Sequence, residues 1–463
     1  MSSILSRWSS ASVLAIVVLS GSGLAPVAAQ QPKPPVSILP PSIPPLPPVP
    51  GQPSQPSPTV PAVPNVAPMP IFVPHWTAGD ASALLNVINS IGTSGLIPKD
   101  YAPAALAAAI LGGEGDALDK VAGDAFTKLA TDMRDGRTPA AARIQWLVKD
   151  TDAATFPTLT VMQKALADHN VAGAITSLEP VHPDYIALKA ELAATPVINQ
   201  ARHKVIQANM DRWRWLPQTL GIRHVIANVP EYVVRLMVNG KLISNHRVIV
   251  GKVDTPTPQL SANAVGVVIH PPWYLPQSII KESVGALIAR SPAAAKARGY
   301  TWTGSGKTLA VTQQAGPSSA LGYIKIDMPN AEAIFLHDTP NRNLFNANAR
   351  AFSHGCLRTE DVMKLAIILG VIQQGGTADE LVTLIKAGKT VKVPFKETIP
   401  VIIGYFTVGK GLDGKLQTFK DIYGRDNAVI ASFDQPRVEP KPIIVTPTPE
   451  VPAPITPALP TIL

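Results

Sequence analysis

Hydrophobic residues recur along this chain with two different periods, one typical of helices and one typical of strands. Between residues 76 and 200 they return every three or four positions, which places them on one face of a helix. The clearest such run carries Leu118, Val121, Phe126, Leu129 and Met133. We therefore expect an all-α domain in this part of the chain, at residues 76–218.

From about residue 223 the pattern changes to short β-branched runs, and Asn239-Gly240 is a strong hairpin signal between two of them. The runs that predict strands are residues 225–229, 232–238, 241–250, 265–269, 323–327 and 333–337. A capping box at Thr377 and Glu380 predicts a helix that ends near Gly388, with short strands after it to about residue 430. The chain is thus predicted to be α+β, with a β-rich domain at residues 219–432.

Composition separates the two ends of the chain from these domains. Residues 30–75 hold 18 of the 48 prolines and residues 436–463 hold nine, which predicts a Pro-rich linker (30–75) and a Pro-rich tail (433–463). Residues 1–29 carry Arg7, then an apolar run at 13–19, then small residues, in the layout of a secretory signal peptide. An uncleaved membrane anchor is the alternative for this segment.

Charge and cysteine content exclude several classes of function. The net charge is +8, but the basic residues are scattered, and export argues against nucleic acid as a partner. A single cysteine in an exported protein excludes an internal disulfide framework and a cysteine-rich metal site. No His-x-x-x-His pair or carboxylate cluster predicts a metal, and no cofactor is expected. The sequence leaves the oligomeric state unknown.

The only cysteine, Cys356, lies in the run SHGCLR at residues 353–358, nineteen positions after His337. The thiolate is the reactive form of cysteine and imidazole is the usual base that generates it, so the two residues predict a nucleophile and its base. An inert buried thiol is the alternative. The polar neighbours of Cys356 are poor core companions, and Gly355 would let a substrate approach the backbone closely, which favours the catalytic interpretation.

The residues around this pair resemble the active-site signature of YkuD-type L,D-transpeptidases, cysteine enzymes that cross-link bacterial peptidoglycan. The resemblance rests on the runs IFLHDTP (334–340) and FSHGCLR (352–358) and covers roughly residues 80–430. The runs DRWRWLP (211–217) and DIYGRD (421–426) are similar to the long Gram-negative, YcbB-like form. That form implies a β-rich catalytic domain with a movable cap, here an alanine-rich insertion at about 278–320, preceded by an all-α scaffold domain.

The resemblance also implies the roles of individual residues. Cys356 is the expected nucleophile, and His337 is the expected general acid and base, oriented by a backbone carbonyl rather than by Asp338. The amides of Gly355 and Cys356 are the natural oxyanion donors, and a helix predicted to begin about one turn after Cys356 would give its thiolate some stabilisation. The residues expected to support the oxyanion and the substrate are Gly355, His354, Ser353 and Arg358, with loop scaffolding as the alternative for Arg358.

The implied reaction is acyl transfer between peptidoglycan stem peptides in the periplasm, as part of wall biogenesis and cell shape. Cys356 would attack the third residue of a donor tetrapeptide, release D-alanine and pass the acyl group to an amine of an acceptor stem, giving a 3→3 cross-link. Carbapenem acylation of the same cysteine is implied as well. An L,D-carboxypeptidase or a lipoprotein-anchoring transpeptidase of the same fold remains open.

Two further alternatives are disfavoured by the residues themselves. In the common wall-lytic cysteine amidases and endopeptidases the cysteine precedes the histidine, whereas here His337 comes first. A non-catalytic wall-binding protein would have no need of both residues. The chain departs from the family in three places, one of which is the cap, where the usual Pro-Gly and Asn are altered around Ala315-Gly316 and Ser319. Phe335 stands where a tyrosine is common, and the small peptidoglycan-binding module usual between the helical and catalytic parts is expected to be absent.

Overall fold

The structure, a computed structural model, describes residues 73–373 and 377–439. The predicted signal peptide, most of the Pro-rich linker and residues 440–463 of the predicted tail lie outside the described residues. Within the described ranges no helix is long and apolar enough to cross a membrane.

The N-terminal part of the described chain is helical, as the apolar spacing predicted. Its helices are α1 (Ala78–Ser90), α2 (Pro103–Leu111), α3 (Asp116–Asp135), α4 (Asp152–Thr155), α5 (Thr158–Ala167), α6 (Val171–Thr176), α7 (Pro183–Ala194) and α8 (Gln200–Arg214). Only five residues, 195–199, join α7 to α8, so there is no room at this connection for an additional binding module. A two-residue strand, β1 (Trp146–Leu147), interrupts the helices and was not predicted.

Helix α3 lies at the centre of the helical core. Of its five predicted core positions, Leu118, Phe126, Leu129 and Met133 are buried, and Val121 is half-buried. Each fully buried side chain of this size contributes roughly 1.5–3 kcal/mol through the hydrophobic effect. The three-to-four-residue spacing therefore identified both the helix and the face that it buries.

The second part of the chain is built from strands. They are β2 (Arg223–Asn228), β3 (Val233–Val238), β4 (Lys241–Gly251), β5 (Gln259–Ile269), β6 (Trp273–Tyr274), β7 (Tyr300–Thr303), β8 (Ala310–Gln313), β9 (Ile324–Asp327), β10 (Leu336–His337), β11 (Ala351–Ser353), β12 (Leu357–Thr359), β13 (Val391–Gly404), β14 (Val408–Lys410) and β15 (Leu416–Thr418).

Eight of these strands pair in a closed ring. Their order is β5, β13, β2, β3, β4, β12, β10 and β9, and the pairing of β9 with β5 closes the ring. Only two neighbouring pairs within it are parallel, β13 with β2 and β10 with β12. Helix α12 (Val362–Ile372) contributes Leu365 and Leu369, both fully buried, to the apolar cluster of the ring. The hairpin predicted at Asn239-Gly240 joins β3 to β4.

The alanine-rich insertion folds as a unit with its own small core. Strands β6, β8 and β7 form an antiparallel sheet. Helices α9 (Gln277–Ile279), α10 (Gly285–Arg290) and α11 (Pro292–Ala297), with a π-helical turn at Ile280–Val284, complete it. Leu275, Ile288 and Val311 belong to one apolar cluster that is separate from the cluster of the ring. This insertion, hereafter the cap, begins at Trp273, slightly earlier than the predicted boundary at residue 278.

The region after residue 388 differs from the prediction. Helix α13 (Ala378–Lys386) begins at the predicted capping box, but the first strand after it, β13, is 14 residues long, and only β14 and β15 are short strands as predicted. Strand β13 contains Pro394 and Pro400, residues that commonly interrupt strands, and its pairing with β5 shifts register between Pro394 and Ile399. The last helix of the described residues is α14 (Asp426–Phe433), and the Asp421 carboxylate accepts hydrogen bonds from the amides of Arg425 and Asp426 at its start.

Buried polar groups of helix α8 fasten the helical part to the ring. The Asp211 carboxylate, fully buried, accepts hydrogen bonds from the amides of Arg137 and Thr138, both at 2.9 Å. The next residue, Arg212, donates to the carboxylate of Asp426 on α14 at 2.6 Å. These contacts explain the DRWRWLP run as the joint between the two parts.

The contact between α8 and α14 generates a stability prediction. Asp426→Asn leaves the 2%-exposed Arg212 guanidinium without its counter-charge. We expect it to lower the free energy of unfolding by about 3 kcal/mol, because breaking one partner of a buried ion pair leaves a buried charge unpaired. Urea denaturation followed by circular dichroism measures this quantity.

The same two helices supply the control. Lys204 on α8 forms an exposed ion pair with Asp434, directly after α14, at 2.8 Å. Lys204→Gln should cost at most about 1 kcal/mol, because exposed pairs contribute little. Equal losses in the two variants would contradict the assignment of the buried pair as the joint.

Candidate active site

His337 and Cys356 lie on neighbouring strands of the ring. Strands β10 and β12 run parallel, with Leu336 opposite Leu357 and His337 opposite Arg358. The amide of Leu357 donates to the carbonyl of Phe335 at 3.0 Å, so Cys356, one residue before β12, lies beside Phe335. The pairing of these two strands therefore brings His337 and Cys356 close together, although they are nineteen residues apart in the sequence.

The register also fixes the face on which the two side chains lie. Phe335 and His337 are two positions apart, and alternate residues of a strand point to the same face. A rise of about 3.3 Å per residue and a strand spacing of about 4.8 Å place the Cα atoms of His337 and Cys356 about 8 Å apart. The thiol Sγ is 3.6 Å from the carbonyl oxygen of Ala333. The separation of about 8 Å between the two Cα atoms brings the imidazole of His337 within reach of the thiol or of a substrate atom bound to it.

The backbone orients the imidazole. Nδ1 of His337 lies 2.5 Å from the carbonyl oxygen of Asp338, and because a carbonyl can only accept, Nδ1 carries the proton. Nε2 is then the free acceptor. The Asp338 carboxylate is engaged elsewhere, since it accepts from the Tyr323 amide and the Arg342 guanidinium, both at 3.0 Å. The geometry agrees with orientation by a carbonyl rather than by an acid.

Burial keeps both candidate catalytic groups uncharged. It raises the pKa of the Cys356 thiol to about 11. Burial, with the nearby positive charge of Arg358, lowers the pKa of His337 to about 3. The stabilisation of the thiolate expected from the following helix is therefore outweighed by desolvation. At neutral pH the pair rests as thiol and imidazole.

The side chain of Ser353 shapes the loop that carries Cys356. Its hydroxyl donates to the carbonyl of Cys356 at 2.6 Å and accepts from the amide of Gly355 at 3.1 Å. The amide of Gly355 is thus already engaged, which differs from its expected role as an oxyanion donor. The amide of Cys356 makes no hydrogen bond within the part of the chain that the structure describes, and it remains the candidate donor.

Gly355 is required for a steric reason. Its φ of +117° is a conformation that residues with a side chain rarely adopt, and an added Cβ would lie 3.0 Å from Cδ1 of Ile334. Its carbonyl accepts a hydrogen bond of 2.7 Å from the hydroxyl of Thr257, which in turn accepts from the amide of Gly251 at 2.9 Å. A fully buried threonine therefore holds the residue before the nucleophile against the end of β4.

His354 and Arg358, two of the residues expected to support the oxyanion and the substrate, lie in different surroundings. His354 contacts a carboxylate of the protein itself, Glu282 of the cap, at 2.9 Å, and Lys252 approaches the same carboxylate at 3.6 Å. Arg358 is half-buried, and its guanidinium makes neither a hydrogen bond nor an ion pair among residues 73–373 and 377–439. Its guanidinium is free to bind a ligand, and the absence of a loop contact disfavours the scaffolding alternative.

A cavity of about 350 Å³ opens beside this loop. Its wall includes His354, Gly355, Ile334 and Glu332, and strand β1 contributes Leu147 from the helical part. Within the described ranges no group of three or more His, Cys, Asp or Glu side chains is placed to hold a metal ion. The site therefore offers a thiol, an imidazole, a free amide and unpaired positive charge, next to room for a peptide.

Comparison with known families gives this geometry a name. Residues 222–393 match the YkuD family, described as the L,D-transpeptidase catalytic domain, and residues 71–192 match a family described as a scaffold domain. The chain carries a YkuD L,D-transpeptidase domain. The predicted fold class, an all-α scaffold followed by a β-rich L,D-transpeptidase domain, is thereby confirmed.

Individual relatives are more distant. A Haemophilus influenzae protein provisionally named an L,D-transpeptidase is 33% identical over 221 residues, which cover 44% of this chain and 45% of that protein. An L,D-transpeptidase from Mycobacterium smegmatis is similar in structure, with 13% identity, 39% of this chain, 58% of the other chain and a TM-score of 0.21. L,D-transpeptidase 3 from Mycobacterium tuberculosis is 12% identical, over 39% of this chain and 60% of the other chain, with a TM-score of 0.21. The chain thus matches less than two thirds of each relative, and TM-scores this low carry no argument.

Several residues at the candidate site have no signal in the sequence that assigns them a role. Nothing in the sequence pattern indicates that the hydroxyl of Thr257 donates to the carbonyl of Gly355. Glu282 lies in a cap whose position over the site is set by tertiary packing. Lys325 lies opposite His337 on β9, a register that becomes visible only when the strands are paired.

The support under the nucleophile loop can be tested with Thr257→Val, which has nearly the same shape. The variant leaves the carbonyl of Gly355 and the amide of Gly251 without their partner, so we expect a loss of about 1–3 kcal/mol in unfolding free energy. Displacement of the loop should lower turnover about 10- to 100-fold. Thr383→Val, which removes an exposed hydrogen bond within α13, is the control and should change neither quantity appreciably. Wild-type turnover in Thr257→Val would contradict this role.

The resting state of the pair can be tested by the pH dependence of thiol alkylation. Because the pKa of Cys356 is raised to about 11, its thiolate fraction should keep rising tenfold per pH unit well beyond pH 9. Alkylation of the unfolded chain should level off near the ordinary thiol pKa of about 8.5. The measurement is the iodoacetamide rate between pH 6 and 10.5, limited to the range in which the protein stays folded. A plateau in the folded protein at neutral pH would indicate a thiolate–imidazolium pair instead.

Proposed function

We propose that this protein is an L,D-transpeptidase that forms 3→3 cross-links between peptidoglycan stem peptides through an acyl-enzyme on Cys356. The observation that carries the proposal is the pairing of β10 with β12. It sets a carbonyl-oriented imidazole beside the only thiol of the chain, inside a domain that matches the L,D-transpeptidase family. The proposed location is outside the cytoplasm, where peptidoglycan lies, after export by the N-terminal segment.

The first half-reaction forms a thioester. As Sγ of Cys356 attacks the carbonyl of the third residue of a donor tetrapeptide, Nε2 of His337 takes the thiol proton. The amide of Cys356 donates a hydrogen bond to the developing oxyanion of the tetrahedral intermediate, and this hydrogen bond strengthens as charge grows in the transition state. Collapse of this intermediate breaks the peptide bond, and the imidazolium returns its proton to the departing D-alanine amine.

The second half-reaction restores the enzyme. An amine of the acceptor stem attacks the thioester carbonyl, and His337 accepts the proton that the amine loses. Collapse forms the new amide bond and expels the thiolate, which takes the proton back. One peptide bond is broken and one is formed, so no cofactor or external energy source is needed.

The resting charge state of the pair supports this chemistry. A neutral imidazole with Nδ1 already committed to the Asp338 carbonyl has one lone pair, on Nε2, directed away from the backbone. Transfer of the thiol proton becomes favourable only when the sulfur forms its bond, which protects a half-buried thiol from side reactions. The neutral imidazole acts as the base in both halves of the reaction, toward the thiol in the first and toward the acceptor amine in the second.

A hydrolytic or anchoring variant is the second candidate. In it the thioester passes to water, giving an L,D-carboxypeptidase, or to a lipoprotein lysine. The donor half-reaction would be identical, so the residues described above do not separate the three outcomes. The cavity of about 350 Å³ beside Gly355, with Leu147 and Ile334 in its wall, has room for a peptide acceptor and supports transfer to an amine rather than to water.

The proposal predicts the products of a single incubation. The full-length protein with a disaccharide tetrapeptide should give a dimer with loss of one D-alanine, and mass spectrometry identifies both products. Cys356→Ala should form none while keeping its circular dichroism spectrum, because the nucleophile is removed and nothing else. His337→Gln should retain a small residual rate, since the thiol remains.

Other products distinguish the alternatives. D-Alanine without a dimer would favour the carboxypeptidase or anchoring reaction. Wild-type turnover in Cys356→Ala would contradict the mechanism altogether.

A further inference from the structure

Three strands carry a row of side chains directly across the site. Lys325 on β9 lies opposite His337 on β10, and His337 lies opposite Arg358 on β12. Residues directly opposite each other project on the same face, with Cβ atoms about 4.5–5.5 Å apart. The imidazole is therefore flanked on both sides by a cation, and both cations lie on the face that carries the thiol.

Neither cation is neutralised by the protein. Within residues 73–373 and 377–439, Lys325 and Arg358 make no ion pair and their side chains make no hydrogen bond. The carboxylate closest along β9, Asp327, is bound by Lys392 at 2.8 Å. The Asp338 carboxylate is occupied by Arg342 and the Tyr323 amide. Two half-buried cations without a partner form a positive site at the reacting centre.

The position of Lys325 is fixed rather than free in solvent. Its Nζ lies 4.4 Å from the centroid of the Phe335 ring, and this ring in turn lies edge-on to His337 with centroids 5.5 Å apart. A cation over an aromatic face is attracted by the electron density of the ring, which helps to hold the ammonium near the thiol. Phe335, which replaces the tyrosine common in the family, therefore presents an unsubstituted ring as a platform for Lys325.

We propose that Lys325 is a substrate-binding residue that, together with Arg358, binds a carboxylate of the acyl donor beside His337. The inference rests on the proposed function and adds to it a specificity. The ligand class is an acyl donor that carries a free carboxylate close to the carbonyl attacked by Cys356. Arg358 can bind such a group through its planar fork, and Lys325 adds a point charge from the opposite side.

A bound carboxylate would offset the repulsion between Lys325 and Arg358. Like charges this close repel, and each lowers the pKa of His337, so the free site stores unfavourable electrostatic energy. A bound carboxylate removes that repulsion and gains two charge-assisted interactions in a partly water-excluded place. A donor whose carboxylate is converted to an amide loses this gain and leaves the site as it was.

The test compares two donors and three proteins. The donors are tetrapeptides that differ only in the side-chain carboxylate of the third residue, free in one and amidated in the other. The full-length wild type, Lys325→Gln and Lys325→Arg are assayed for D-alanine release, and kcat and KM are measured for each donor. Because loss of a positive charge also alters the electrostatics of Cys356 and His337, the decisive quantity is the ratio of kcat/KM between the two donors, in which that common effect cancels.

We expect the wild type to prefer the free-acid donor by about tenfold or more, as for a hydrogen bond to a charged group. Lys325→Gln should reduce that ratio severalfold, mainly through the KM of the free-acid donor, and Lys325→Arg should restore most of it. Lys241→Gln is the matched control, since this lysine lies on β4 eight residues from Ile249, the residue paired with Arg358, or about 26 Å along the strand. Its ratio should equal that of the wild type.

Different results would overturn the carboxylate site and the proposed function. If the wild type releases D-alanine but Lys325→Gln keeps the wild-type ratio, or loses both donors equally, the carboxylate site is overturned and the proposed function stands. If the wild type releases D-alanine from neither donor, both are overturned. Thermal unfolding of each variant identifies any loss of activity that is due to misfolding. If Lys325→Gln misfolds, the ratio of kcat/KM between the two donors is taken from Lys325→Arg, which keeps the charge and the cation–π contact.

Discussion

The register between β10 and β12 is the constraint on which the site depends. It is one of only two parallel pairings in the ring, and it sets His337 two positions beyond the residue beside Cys356. A shift by one residue would move the imidazole to the opposite face, away from the thiol. The register is held from both sides, by β9 and β4, and by the buried Thr257 and Ser353 hydroxyls that fix the loop before β12. The closed ring of strands thus holds the side chains of His337 and Cys356 on neighbouring strands, in a fixed position relative to each other.

Electrostatics then gives the site its character. A thiol and an imidazole are both neutral at rest because burial disfavours their charged forms. The two nearest cations are left without protein partners, so positive charge is concentrated where an oxyanion and a substrate carboxylate would lie. The cap adds a contact of its own through Glu282 and His354. A site arranged in this way favours anionic acyl donors over neutral ones, and it commits its thiol only when a substrate is in place.

Local patterns in the sequence predicted the elements, while the contacts between elements could not be read from it. The helical spacing around Phe126, the hairpin at Asn239-Gly240 and the capping box at Thr377 each involve residues close in sequence, and each is found. The long strand β13 was missed because proline is a strand breaker only where its missing N–H is needed, which depends on the partner strand. Engagement of the Gly355 amide by Ser353 was missed for a similar reason, since it depends on how one loop turns.

Peptide mapping of the protein, quenched within milliseconds of mixing with a tetrapeptide donor, is the most direct test of the covalent mechanism. We expect a thioester on the peptide that contains Cys356, with a mass equal to the donor less D-alanine, and its disappearance when an acceptor amine is added. An acyl group on any other residue would contradict the mechanism. So would dimer formation without any covalent intermediate on the chain.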